Sequence, residues 1–294
     1  MVNILETLQK WSIPSAEIKK TSPAATAQAT ANTAETIRIS IPKNQPLAGI
    51  DLRVYKDTDA TLTDTVTEIR LLLDGVHTVK KMTGSMLKAI AALNGNPLST
   101  GFYSIPILDP VIQADPIPCH KFNTIELEVD VAAGGASVKN VVAPSFFRLT
   151  KSGYPRLADW ANAKILVETY NTMKQFGTVT GEQEVEHDRV WKAYGYMAEM
   201  GDNGSLSNTI FNTYSLVLID LNGEKLVYEK ANIAQERENN KQTAFGNAMP
   251  TGIVYLPFVD GIDVKQYSVV KSLLNIPSAG TNAQVKVLER RLMS

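Results

Sequence analysis

TGFYSIPILD at residues 100–109 returns in outline as TGIVYLPFVD at residues 251–260. Thr100 and Thr251, Gly101 and Gly252, Pro106 and Pro257, and Asp109 and Asp260 are identical pairs at one offset, 251 − 100 = 151 residues. Four identities in ten positions mean little alone, so the surroundings decide. Upstream of the first copy, EIRLLLDGVHTV (68–79) reads as a strand, an Asp74-Gly75 turn and a return strand. Upstream of the second, YSLVLIDLNGEKLVY (214–228) reads as a strand, an Asn222-Gly223 turn and a return strand. Both dipeptides tolerate the positive φ of tight hairpin turns, here expected to be equivalent type I′ turns. The turn glycines lie 223 − 75 = 148 residues apart, close to the first offset. A helical stretch follows each hairpin, SMLKAIAALNG at 85–95 and KANIAQERENN at 230–240. One unit of strand, turn, strand, helix and TGxxxxPxxD strand therefore occurs twice in the same order.

Period-two alternation supports strands on either side of this unit. Ile37, Ile39 and Ile41 alternate with Arg38 and Ser40, and Ile125, Leu127, Val129 and Val131 alternate with Glu126, Glu128 and Asp130. Such patterns mark strands with one dry and one wet face. Helical spacing is brief: Met86, Leu87, Ile90 and Leu93 share a face, with Ser85 the expected N-cap and Gly95 the stop. The expected class is all-β, two tandem eight-stranded jelly rolls with short inserted helices, since each copy has the roughly 110–140 residues that such a sandwich takes. Residues 35–148 form the first barrel in this reading and residues 149–294 the second. Residues 1–34 are read as an arm. Ile4, Leu5, Leu8 and Trp11 make a short apolar helix face, and TSPAATAQATANTA (21–34) has no charge and no large apolar side chain to bury.

Composition narrows the function. The 294 residues carry 29 basic and 30 acidic side chains, a net charge of −1, so a polybasic nucleic-acid binder is excluded as a class. No sequence-specific nucleic-acid partner is expected. One cysteine, Cys119, leaves no disulfide framework and no Cys-rich zinc site. The start, MVNILETLQKW, lacks a basic segment before its apolar residues, and no signal peptide is read there.

Chemistry-bearing residues are sparse. His77, His120 and His187 are far apart, Cys119 and His120 are neighbours that would face opposite ways on a strand, and no nucleophile elbow, phosphate loop or zincin motif occurs. No enzyme is expected. Glu182, Glu184 and Glu186 would share one face of an extended segment and could hold Ca²⁺; a charged strand edge that discourages stray pairing explains them as well. Calcium aside, no cofactor is implied.

Two consecutive jelly rolls, each with a D strand ending in LDG or LNG and a helix before the next strand, resemble the double jelly-roll major capsid proteins of tailless icosahedral viruses. The likeness is greatest to those of corticovirus-like, membrane-containing bacteriophages, and IRISIPKNQPLAGIDLRVYK (37–56), VTEIRLLLDGVHTV (66–79) and APSFFRLTKSGYP (143–155) carry it. The resemblance implies a coat subunit in a virion, made in a host bacterial cytoplasm. Three chains would close into a pseudo-hexagonal homotrimer, and trimers would tile an icosahedral shell. Partners would be neighbouring capsomers, penton and minor capsid proteins, and an internal lipid membrane reached by the arm. The competing class is a non-enzymatic β-sandwich binding module, lectin-like or on a cell surface.

Overall fold

The structure, a computed structural model, describes residues 18–96, 98–109, 112–150, 163–278 and 280–293. The chain divides into two compact units between Val167 and Glu168.

In the first unit the strands are β1 (Ile18–Thr21), β2 (Thr26–Ala27), β3 (Glu35–Ser40), β4 (Leu47–Lys56), β5 (Val66–Leu73), β6 (His77–Thr83), β7 (Phe102–Pro106), β8 (Ile125–Val131) and β9 (Asn140–Leu149). Helix α1 (Gly84–Leu93) lies between β6 and β7. One antiparallel sheet runs β1-β9-β4-β7, with β2 beside β9. The other runs β6-β5-β8-β3. Setting the two-residue β2 aside, the strands in chain order are shared out as first-eighth-third-sixth and second-seventh-fourth-fifth. That alternation between two facing sheets is the jelly roll.

The second unit repeats it. Its strands are β10 (Ile165–Tyr170), which carries the chain across the division, β11 (Lys174–Gly177), β12 (Gly181–Glu186), β13 (Lys192–Asp202), β14 (Ser205–Leu206), β15 (Thr213–Asp220), β16 (Lys225–Asn232), β17 (Ile253–Asp263), β18 (Tyr267–Ile276) and β19 (Ala283–Met293). Helix α2 (Ile233–Thr243) again follows the fifth main strand. One sheet is β12-β18-β15-β16. The other has β19 between the end of β10 and β13, with β17 on the far side of β13. The alternating apolar residues fill the space between the sheets. Ile69, Leu71, Leu127 and Val129 are fully buried in one unit, and Tyr214, Leu216, Leu218 and Val285 are buried in the other.

Three expectations need correction. Residues 18–34 are not an arm. Ile18–Thr21 pairs in register with Leu149–Phe146, and Thr26 and Ala27 pair with Val142 and Val141. The Gln28 side chain, 1% exposed, accepts from Asn140 N (2.8 Å) and donates to Ala132 O (3.0 Å) and Thr33 O (3.2 Å). Main-chain pairing and one buried amide tie down a segment with little apolar surface of its own. Ile4, Leu5, Leu8 and Trp11 lie outside the described residues.

The duplicated hairpins join the fourth and fifth main strands, E and F in the usual lettering, so their first strand is not D. Finally, α1 is capped by Thr83, whose hydroxyl accepts from Met86 N at 3.2 Å, rather than by Ser85. Gly95 does end this helix at φ 78°.

Candidate functional site

The TG dipeptide of each repeat enters the sixth main strand through one and the same backbone clamp. In the first unit the Gly101 carbonyl accepts from Val54 N at 2.7 Å, and Gly101 N donates to Asp64 Oδ1 at 2.7 Å. In the second, the Gly252 carbonyl accepts from Met200 N at 2.7 Å, and Gly252 N donates to Asn208 Oδ1 at 2.7 Å. The carbonyls of Val54 and Met200 in turn accept from Thr63 N (3.1 Å) and Ser207 N (3.0 Å). The clamp pins the loop after the third strand and the loop after the helix to one point. Pro106 and Pro257 are matched too, opposite Gly49 and Gly195. Both prolines lie on strands that border only one main neighbour, where a missing N–H costs no ladder bond.

The two turns differ. Asp74 (φ 54°) and Gly75 (φ 70°) are both left-handed, with Val76 N reaching Leu73 O at 3.3 Å, as a type I′ turn requires. In the second turn Gly223 is left-handed (φ 85°) and Asn222 is not. Asp220 Oδ1 accepts from Asn222 N (2.8 Å) and Glu224 N (2.7 Å), while Gly223 N donates to Asp220 O (3.2 Å). That side chain folds a type I turn with a glycine bulge instead. The expected equivalence of turn type fails for this reason.

Polar side chains gather at two places. On the sheet β6-β5-β8-β3, Arg70 donates to Glu128 (2.7 Å), Glu68 (3.0 Å) and Asp130 (3.0 Å), and Arg38 donates to Glu128 (3.1 Å). Burial works against the Arg70 charge, but Glu128, Asp130 and Glu68 outweigh it and hold the guanidinium above its ordinary pKa. Inside the second unit, His187 Nδ1 lies 3.0 Å from Glu289 Oε1 and Nε2 lies 2.7 Å from Ser272 Oγ. Ser272 Oγ donates to Tyr214 OH at 3.1 Å, and Arg291 Nε lies 3.3 Å from Glu289 Oε2.

The order serine, histidine, glutamate matches a hydrolytic triad in spacing. Its serine is 0% exposed in the middle of β18, paired through the main chain on both sides, so no substrate reaches it. The group instead links β18 and β15 of one sheet to β19 of the other, a polar bridge across an apolar sandwich. Nothing in the sequence pointed to it, because the bonded residues are 85 and 102 positions apart.

The other chemistry-bearing residues stay dispersed. His77 is exposed at the start of β6. Cys119 and His120 lie on a 3₁₀ turn rather than a strand, the thiol buried and the imidazole exposed. Burial raises the Cys119 pKa, only partly offset by Arg148, whose Nη1 lies 3.5 Å from Sγ. Glu182, Glu184 and Glu186 are exposed on β12, a border strand of its sheet, and Glu184 takes Lys271 Nζ at 2.6 Å. Among the described residues, no three metal-ligating side chains gather closely enough to hold an ion. No helix among them is long and apolar enough to cross a membrane.

The sequence matches no family model and no curated relative. Solved structures do match. The major capsid protein P2 of bacteriophage PM2 superimposes with a TM-score of 0.64 at 13% identity, covering 94% of this chain and 98% of that one. The STIV MCP gives a TM-score of 0.71 at 12% identity, over 94% and 97% of the two chains. The capsid of PBCV-1 virus gives 0.57 at 11% identity, over 94% of each. The likeness runs nearly end to end in all three, and the fold they share with this chain is the double jelly roll.

Proposed function

We propose that this chain is a major capsid protein, a structural coat subunit of a virion shell. The observation that carries the reading is the tandem pair of jelly rolls, matched over nearly the full length of this chain and of capsid proteins from PM2 and STIV. A second support is internal. The repeat preserves the backbone clamps and the strand order in both barrels.

In this reading three copies close into a homotrimer that presents six barrels, a pseudo-hexagonal tile, and tiles meet edge to edge in an icosahedral shell. Cyclic closure covers flanks and strand edges that a lone double sandwich leaves open. Penton and minor capsid proteins complete the shell, and an internal membrane is a further partner. Synthesis takes place in the host bacterial cytoplasm. Light scattering and electron microscopy of the purified chain test the proposal. Particles with a mass near three chains of 32.1 kDa, or larger shells, are expected; a monomer at micromolar concentration overturns it.

A further inference from the structure

The sequence contains three Asn-Gly pairs: Asn94-Gly95, Asn203-Gly204 and Asn222-Gly223. Asparagine before glycine is chemically labile, because the unhindered glycine nitrogen can attack the asparagine side chain. The structure treats the three differently. Asn94 is half-buried at the end of α1, and Gly95 N donates to Ala92 O at 2.9 Å. Asn222 is exposed, but Gly223 N donates to Asp220 O at 3.2 Å and Asn222 N to Asp220 Oδ1 at 2.8 Å. Asn203 and Gly204 are both exposed and form the two-residue turn between Asp202 and Ser205, at φ 47° and 83°. No backbone hydrogen bond from Gly204 N occurs among the described residues, and the space where a Gly204 Cβ would stand is empty to 4 Å.

We propose that Asn203 is a site of spontaneous covalent modification, converting to isoaspartate and aspartate in the folded protein while Asn94 and Asn222 are protected. The Gly204 amide nitrogen attacks the Asn203 side-chain carbonyl carbon. A C–N bond forms to the glycine, the bond to the side-chain nitrogen breaks, and the displaced amino group leaves with the amide proton as ammonia. Water then opens the cyclic imide at either carbonyl, so no oxidant or reductant is needed. The product places a new carboxylate beside Asp202, whose own carboxylate accepts from Asn282 N (2.6 Å) and Thr281 N (3.2 Å). Asn203 N also donates to Asn282 O at 3.1 Å, so an isoaspartate, with its longer backbone, disturbs the join between β18 and β19.

Peptide mapping by mass spectrometry after incubation at mildly alkaline pH tests this, with the urea-unfolded chain in parallel. Expected in the folded protein is conversion at Asn203 about fivefold or more faster than at Asn94 or Asn222, the rate factor that one retained hydrogen bond represents. The unfolded chain should lose that ranking, and isoaspartyl methyltransferase should label the Asn203 peptide of the folded protein. Asn203→Ser should abolish the acidic form that accumulates first. Equal rates at all three sites in the folded protein, or faster conversion at Asn94 or Asn222, overturn the proposal.

Discussion

Gly101 of the first barrel and Gly252 of the second hold the same left-handed backbone, φ 69° and 74°, over the same carbonyl of the third main strand. A Cβ on Gly101 would stand 2.5 Å from Val54 O, and one on Gly252 2.5 Å from Met200 O. The turn glycines Gly75 and Gly223 are also left-handed but have nothing within 4 Å. Alanine at 101 or 252 should therefore cost about 2 kcal/mol or more, and at 75 or 223 only about 1 kcal/mol. Urea unfolding of the four variants checks the ranking; equal losses would remove the clamp from the account.

Asp64 and Asn208 hold the two glycine N–H groups from equivalent places, one as a carboxylate and one as an amide. Asp64→Asn should keep the bond to Gly101 and lose only the pairing with Lys88. Its cost should stay below about 1 kcal/mol, whereas Asp64→Ala and Asn208→Ala should each cost about 1–2 kcal/mol. Urea unfolding separates the two cases. Equal losses for Asp64→Asn and Asp64→Ala would show that the charge matters more than the clamp.

His187→Leu removes the centre of the buried bridge, leaving Glu289 Oε1 without the imidazole and Ser272 Oγ with Tyr214 OH alone. A loss of about 2–4 kcal/mol is expected, measured by thermal melting. The folded wild-type protein should at the same time resist serine-directed fluorophosphonates. Labelling of Ser272 without unfolding would contradict its burial.

Three phenols report on alkaline pH. Burial raises the pKa of Tyr103, Tyr196 and Tyr214, helped by Asp64 at the first and by Glu289 at the other two. A raised pKa in the folded state means stability is full below the unfolded value of about 10 and falls as pH rises beyond it. Phenolate absorbance from these three should appear together with loss of structure. Their titration in a folded barrel would contradict the burial.

Deleting residues 1–30 should destabilise the first barrel, because it removes β1, β2 and the Gln28 amide that holds Asn140 and Ala132. Circular dichroism during melting would show this as a lowered Tm. An unchanged Tm would return residues 18–30 to the role of an arm.

Much of the fold was legible in the chain. Period-two runs such as Ile125–Val131 gave strands, because a half-buried strand must alternate. The Gly-Pro spacing shared by 101–106 and 252–257 gave the duplication, because a left-handed glycine and a missing N–H are needs of the backbone itself. Such features are written locally.

What only the tertiary structure decided is contact between residues far apart in sequence. β1 could not be read, since its pairing with Phe146–Leu149 uses main-chain groups that every residue carries. The difference between the two hairpin turns came from the Asp220 side chain reaching forward to Glu224, a competition that the Asn-Gly dipeptide does not disclose. The bridge of His187, Ser272 and Glu289 forms because two sheets face each other and three polar groups meet in the dry space between them. Sequence sets each residue's need to be buried or bonded; which distant partner meets that need is fixed only when the sheets close.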